Sequence, residues 1–126
     1  MIWDNKNIHD AMTLLNADTI ATFRELMDEA ELSEFLEQAA RLLDGDRGPL
    51  LAGLRDGQWE TAARLAHRLK GGLGSLGCDA LYARLAELEK NLKAAPPLPP
   101  DTGAIGDLDY LLGATLAALQ QAMQTS

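Results

Sequence analysis

His67 lies in the segment Ala66-His67-Arg68-Leu69-Lys70-Gly71, and Lys70 follows it at the spacing of one helical turn. An imidazole can serve as nucleophile, base or metal ligand, whereas a lysine ammonium is a mobile point charge. Together they suit a phosphoryl group in transit, whose charge spreads over three oxygens and whose transfer depends on positioning and electrostatic support. No spacing of cysteine with histidine resembles a zinc site, since Cys78 is the single cysteine and His9 the only other histidine. Cys78 is expected to be a small buried thiol. His9, in polar surroundings, is expected to be an exposed residue of no chemical role.

The apolar pattern around His67 decides which way it points. Trp59, Ala62, Ala66, Leu69, Leu73 and Leu76 recur at steps of three and four, which predicts a helix over 58–76 with a buried seam. At about 100° per residue, Glu60, Ala63, Arg64, Lys70, Gly71 and Gly74 fall within about 60° of His67, and Leu69 lies nearly opposite. His67 is therefore expected on an outward stripe.

Gly71, Gly72 and Gly74 sit inside this helical pattern, where each costs roughly 0.8–1 kcal/mol relative to Ala. Gly72 points to the side, where close helix packing is one explanation for it. Gly71 and Gly74 point outward with His67. With Ala63 one turn before the histidine, they leave a shallow bed in which another protein's surface can approach the ring. The competing reading is that glycines on a wetted face are merely tolerated.

Such a site needs elements to hold it, and the rest of the chain supplies helices. Ala and Leu dominate and aromatics make up only 5% of the residues, a composition suited to helix-on-helix packing rather than to sheets. The first dozen residues read as a polar arm or a short covering helix. Ile20, Phe23 and Met27 predict a short helix over 18–29 with Asp18 as its N-cap. Ser33 is the expected cap of the next, whose face is Leu36, Ala39, Ala40 and Leu43. Gly45-Asp46-Arg47-Gly48-Pro49 then predicts a break or kink before Leu50, Leu51 and Leu54 resume the pattern.

Gly77 is the expected C-cap of the His67 helix, and Asp79 starts a following one along Leu81, Leu85, Leu88 and Leu92, so the two form an αα-hairpin. The proline-rich stretch 95–103 cannot be helical and reads as a stiff connection within the domain. Ile105, Leu108, Leu112, Thr115, Leu119 and Met123 predict a last helix that closes the core. The whole is expected to be all-α, a four-helix up-down bundle with a short extra N-terminal helix or arm. It fills residues 1–126 as one domain with its core at about 18–123.

Charge and length exclude several functions. A formal charge of −8 gives nucleic-acid binding no electrostatic driving force. No apolar run approaches the ~20 residues of a membrane span, and no secretory leader is recognisable at Met-Ile-Trp-Asp-Asn-Lys, so the chain is expected to be cytoplasmic. The glycines lie in helices rather than in a strand–turn–helix nucleotide loop. A single domain of 126 residues leaves no room for a separate kinase unit.

Ala66 to Gly71, followed by Leu76-Gly77 and Leu81, resembles the core motif of histidine phosphotransfer (HPt) domains: His, any residue, Leu, Lys, Gly, five residues, Gly. The resemblance implies a phosphorelay intermediate, a phosphocarrier without kinase activity of its own. Its partners would be response-regulator receiver domains and a sensor or hybrid histidine kinase. It implies His67 as phosphoacceptor, Lys70 as electrostatic support, and Ala63, Arg64, Gly71 and Gly74 as clearance for receiver docking. No cofactor is expected in the domain itself, Mg²⁺ being supplied by the receiver, and the domain is expected to act as a monomer.

In related chemotaxis kinases a glutamate on the next helix accepts a hydrogen bond from the histidine. Glu89 is the residue expected to take that part, with Glu87 a less well placed competitor. From its position beside the Leu88 seam Glu89 can lean toward His67, fix the tautomer and raise the ring's basicity. Leu73 and Cys78 depart from the small residues the family often has there, and the 45–49 interruption appears in a helix that is usually continuous.

Two other readings compete. One is a pure interaction module whose small-residue stripe docks a signalling partner without phosphorylation. The other, a bundle metal or haem protein, lacks inward histidines. Phe23 and Met27 are offered as docking residues if the first helix leans over the His67 stripe, against their packing in the core.

Overall fold

The computed structural model describes residues 13–124, and their secondary structure is entirely helical. The elements are α1 (Ala17–Leu26), α2 (Glu29–Arg55), α3 (Trp59–Gly74), α4 (Asp79–Leu92) and α5 (Thr102–Gln124). Helices α2 to α5 form the bundle: α2 packs on α3 and α5, α3 pairs with α4, and α5 touches α4. The expected arm and His9 lie outside the described residues.

The N-terminal boundaries differ from expectation because other side chains make the caps. Asn16, not Asp18, caps α1: its side chain accepts the Thr19 N–H at 3.1 Å, and Asp18 falls in the first turn. Helix α1 stops at Leu26 because Asp28 opens α2. The Asp28 carboxylate accepts the Glu31 N–H at 2.8 Å while Glu31 accepts the Asp28 N–H at 3.0 Å, a reciprocal capping box. Ser33 is thereby inside α2. Phe23 and Met27 are half-buried against the core, Phe23 edge-on to Phe35 at 5.5 Å. Helix α1 packs on α2 rather than across the His67 stripe.

The expected break at 45–49 does not occur, and α2 runs unbroken through Pro49. Gly45, Gly48 and Pro49 all face solvent, so the helix-breaking residues lie off the packed face. That face continues as Leu43, Asp46, Leu50 and Leu54, all buried. Asp46 takes two hydrogen bonds from Arg68 of α3, at 2.8 Å from Nε and 2.6 Å from Nη2. The next residue, Arg47, reaches α5, donating to Asp109 Oδ1 from Nη2 at 2.8 Å. A Cβ on Gly113 would lie 2.8 Å from that same Arg47 nitrogen, so the glycine keeps the path open. Both neighbours thus brace α2 where its own backbone is weakest.

Helix α3 ends at Gly74, before the expected 76, yet its seam persists because Leu76 is fully buried within the turn. Gly77 has φ +84°, a left-handed conformation that favours glycine, and a Cβ there would meet Asn16 Cβ at 2.8 Å. The chain before α1 is bonded onto this turn: Asn16 N–H donates to Gly77 O at 2.8 Å, and Ala80 N–H to Thr13 O at 3.1 Å. Cys78, beside it, is buried, and burial pushes its thiol up to about 12.

The core is the leucine seam, with Leu36, Leu43, Leu69, Leu73, Leu85, Leu112 and Leu119 fully enclosed. At such positions truncation to Ala costs about 2–5 kcal/mol. The proline stretch is non-helical over 95–101, α5 taking in the last two residues of the expected 95–103 connection, and it folds back on α4, where Leu98 N–H donates to Asn91 O at 2.9 Å.

Candidate active site

Helix α3 buries Ala66 and Leu69 completely and turns His67 outward, its side chain 67% exposed. The ring does not stand alone. Its Nδ1 lies 2.9 Å from Oε2 of Glu89 on α4. Glu87 faces the opposite flank, beside Leu98 and Pro99. A carboxylate at Nδ1 favours the tautomer carrying the proton there, which leaves the Nε2 lone pair for chemistry.

Glu89 is nine-tenths buried, and a carboxylate there requires compensation. Two lysines supply it. Lys93, on the turn after α4, donates to Oε2 at 2.7 Å, and Lys70 stands 2.9 Å from Oε1. Lys70's contact is an ion pair without hydrogen-bond alignment, since Oε1 receives no hydrogen bond. The hydrogen bond from Lys93, with Lys70 and His67 adding to it against the effect of burial, lowers the Glu89 carboxyl to about 2. In return Glu89 raises the Lys70 ammonium above its ordinary value.

The remaining stripe residues divide into two flanks. Lys70 and Ala63 fall toward α4, Arg64 and Gly71 away from it. Ala63 is consequently buried, at 5% exposure, and is not the outward clearance expected of it. Arg64 is exposed. A Cβ on Gly71 would meet nothing within 4 Å, so this glycine faces open space. Gly74 differs: a Cβ there would lie 2.7 Å from the Tyr82 ring, which gives this glycine an internal packing reason. Gly72 likewise accommodates Leu42.

Two residues at this site escaped the sequence reading, Tyr82 and Lys93. The Tyr82 ring stands 5.9 Å from Lys70 Nζ and is half-exposed. It lies two helical turns before Glu89, on the same face of α4, which is the signal that would have found it. Lys93 is four residues after Glu89, the familiar helical ion-pair spacing. A groove of about 780 Å³ beside His67 is floored by Trp59, Ala63 and Leu92 and rimmed by Glu60, Arg64 and Lys93. Arg68 faces away, its guanidinium raised by Asp46. Among the described residues no three His, Cys, Asp or Glu side chains gather to hold a metal, and no helix is long and apolar enough to cross a membrane.

The Hpt domain family model matches residues 18–124, spanning the bundle and this site. The chain belongs to the histidine phosphotransfer family. As an HPt domain it carries the family's role in histidine phosphotransfer within phosphorelays, where members act as phosphocarriers with kinases and response regulators. Among solved structures this HPt domain is similar to histidine-containing phosphotransfer protein B (HptB) from Pseudomonas aeruginosa PAO1. The TM-score is 0.73 at 22% identity, over 91% of this chain and 98% of that one, a likeness of fold. No curated protein matches.

Proposed function

We propose that this domain carries a phosphoryl group on His67 between aspartates of response-regulator receiver domains. The observation that carries the reading is an exposed imidazole whose Nδ1 is held by a buried carboxylate while a lysine stands beside it. The Nε2 lone pair attacks the phosphorus of an aspartyl phosphate. The Nε2–P bond forms, the P–O bond breaks, and its electron pair leaves on the aspartate carboxylate. Positive charge that develops on the ring is delocalised onto Nδ1–H, opposite Glu89. Lys70 offers its charge to the phosphoryl oxygens, and Gly71 lets the receiver come close. The receiver brings the Mg²⁺ and most of the charge stabilisation, and the HPt domain brings no cofactor of its own. Return of the group to a second receiver reverses these steps. The setting is the cytoplasm, with the domain acting as a monomer.

The test is incubation with a phosphorylated receiver. Phosphate that appears on the domain, survives base, is lost in acid and fails to appear in His67→Gln supports the proposal. Equal labelling of His67→Gln overturns it. Binding of the receiver with no phosphate transferred favours the docking module instead.

A further inference from the structure

Three side chains, two ammonium groups and an imidazole, converge on the buried carboxylate of Glu89, and they hold it unequally. His67 Nδ1 and Lys93 Nζ share Oε2, at 2.9 and 2.7 Å, while Lys70 stands alone at Oε1 without hydrogen-bond alignment. The two lysines also differ in setting. Lys70 is on the His67 helix and 23% exposed, beside the face a partner must approach. Lys93 is anchored at the end of α4, where its own N–H bonds Glu89 O at 3.1 Å and the proline stretch folds back onto Asn91.

Resting on the phosphocarrier reading above, we infer that Lys93 is a positioning residue: it holds Glu89 against His67 and keeps that carboxylate compensated when Lys70 turns away to meet the phosphoryl group. A lysine cannot serve Glu89 and the phosphoryl oxygens fully at once. If Lys70 alone neutralised Glu89, its departure would strand a buried carboxylate at just the moment of transfer, which is costly. With Lys93 on Oε2, that cost is largely removed. The bond from Lys93 also fixes the carboxylate's rotation, so Oε2 stays opposite Nδ1 and the tautomer with a free Nε2 persists. Lys93 itself need not touch the phosphoryl group.

The experiment is a double-mutant cycle with two readouts: transfer rate from a phosphorylated receiver, and the imidazole tautomer of His67 by ¹⁵N NMR on the unphosphorylated protein. Lys93→Met is expected to slow transfer roughly tenfold, the scale on which partners of an orienting carboxylate matter. It should also raise the minor tautomer, with helicity unchanged. Lys93→Arg should restore most of both. In the Glu89→Gln background Lys93→Met should add nothing further. Equal slowing by Lys93→Met with and without Glu89 would mean that the lysine acts directly on the receiver, and would overturn the inference. So would an unchanged tautomer and rate. The tautomer is read without phosphate, so a wild-type protein that accepts none would sink the phosphocarrier reading while still deciding whether Lys93 orients Glu89.

Discussion

His67 Nδ1 and Glu89 Oε2 stand 2.9 Å apart across the α3–α4 hairpin, an exposed ring held by a carboxylate that is nine-tenths buried. Glu89→Ala removes the acceptor and leaves Lys70 and Lys93 close together with no counter-charge. Transfer from a phosphorylated receiver is expected to slow by about tenfold to a hundredfold. Glu89→Gln keeps an oxygen for Nδ1–H and should slow transfer less. Stopped or rapid-quench transfer assays on both variants check the order.

The same carboxyl gives a pH prediction of definite sign. Its pKa in the folded protein is about 2, below its ordinary 4.5, so it contributes stability that is fully present above about pH 4.5. That contribution is lost as pH falls toward 2. Denaturant unfolding of wild type and Glu89→Gln should therefore differ most near neutrality and converge in acid. A gap that stays constant from pH 7 to pH 2 would contradict the assignment.

Lys70→Ala is expected to leave the fold intact, because Lys93 still compensates Glu89. Transfer should fall roughly tenfold or more, as for loss of one electrostatic donor. An unchanged rate would remove Lys70 from the mechanism.

Gly71 separates clearance from accident. Nothing lies within 4 Å of where its Cβ would be, so Gly71→Ala should stabilise the domain by about 0.5–1 kcal/mol. Gly71→Leu should fold as well but bind and exchange phosphate with the receiver poorly. Unimpaired transfer in Gly71→Leu would return this glycine to the tolerated accidents.

Pro49 sits in the interior of α2 on its solvent side, so Pro49→Ala is expected to restore a backbone hydrogen bond and stabilise by about 1 kcal/mol or more. The transfer rate should not change, since Pro49 neither bonds His67 nor lines the groove beside it.

The sequence carried the hairpin that builds the site because leucines at regular steps define both seams, and the outward position of His67 followed from them. It misplaced features that depend on what a side chain meets. The segment 45–49 read as a break because of its two glycines and Pro49, whereas the pairing of Asp46 with Arg68 makes it a packed part of the seam. Gly74 read as clearance because the wheel cannot see Tyr82 arriving from α4. Ala63 falls within the outward stripe but on the flank that α4 covers. Glu89 was legible as facing the groove and Lys93 stands at the i+4 spacing that pairs with it, whereas the approach of Lys70 to the other carboxylate oxygen follows from the hairpin's register.

The central claim is chemical and local: phosphate is carried on Nε2 of His67, the nitrogen that Glu89 leaves free. It is tested most directly by ³¹P and ¹⁵N NMR of the domain after labelling by a phosphorylated receiver, with His67→Gln as the control. The account predicts one base-stable phosphohistidine signal, coupled to Nε2 of His67 and absent from His67→Gln. Phosphate on Nδ1, or on any other residue, would contradict it.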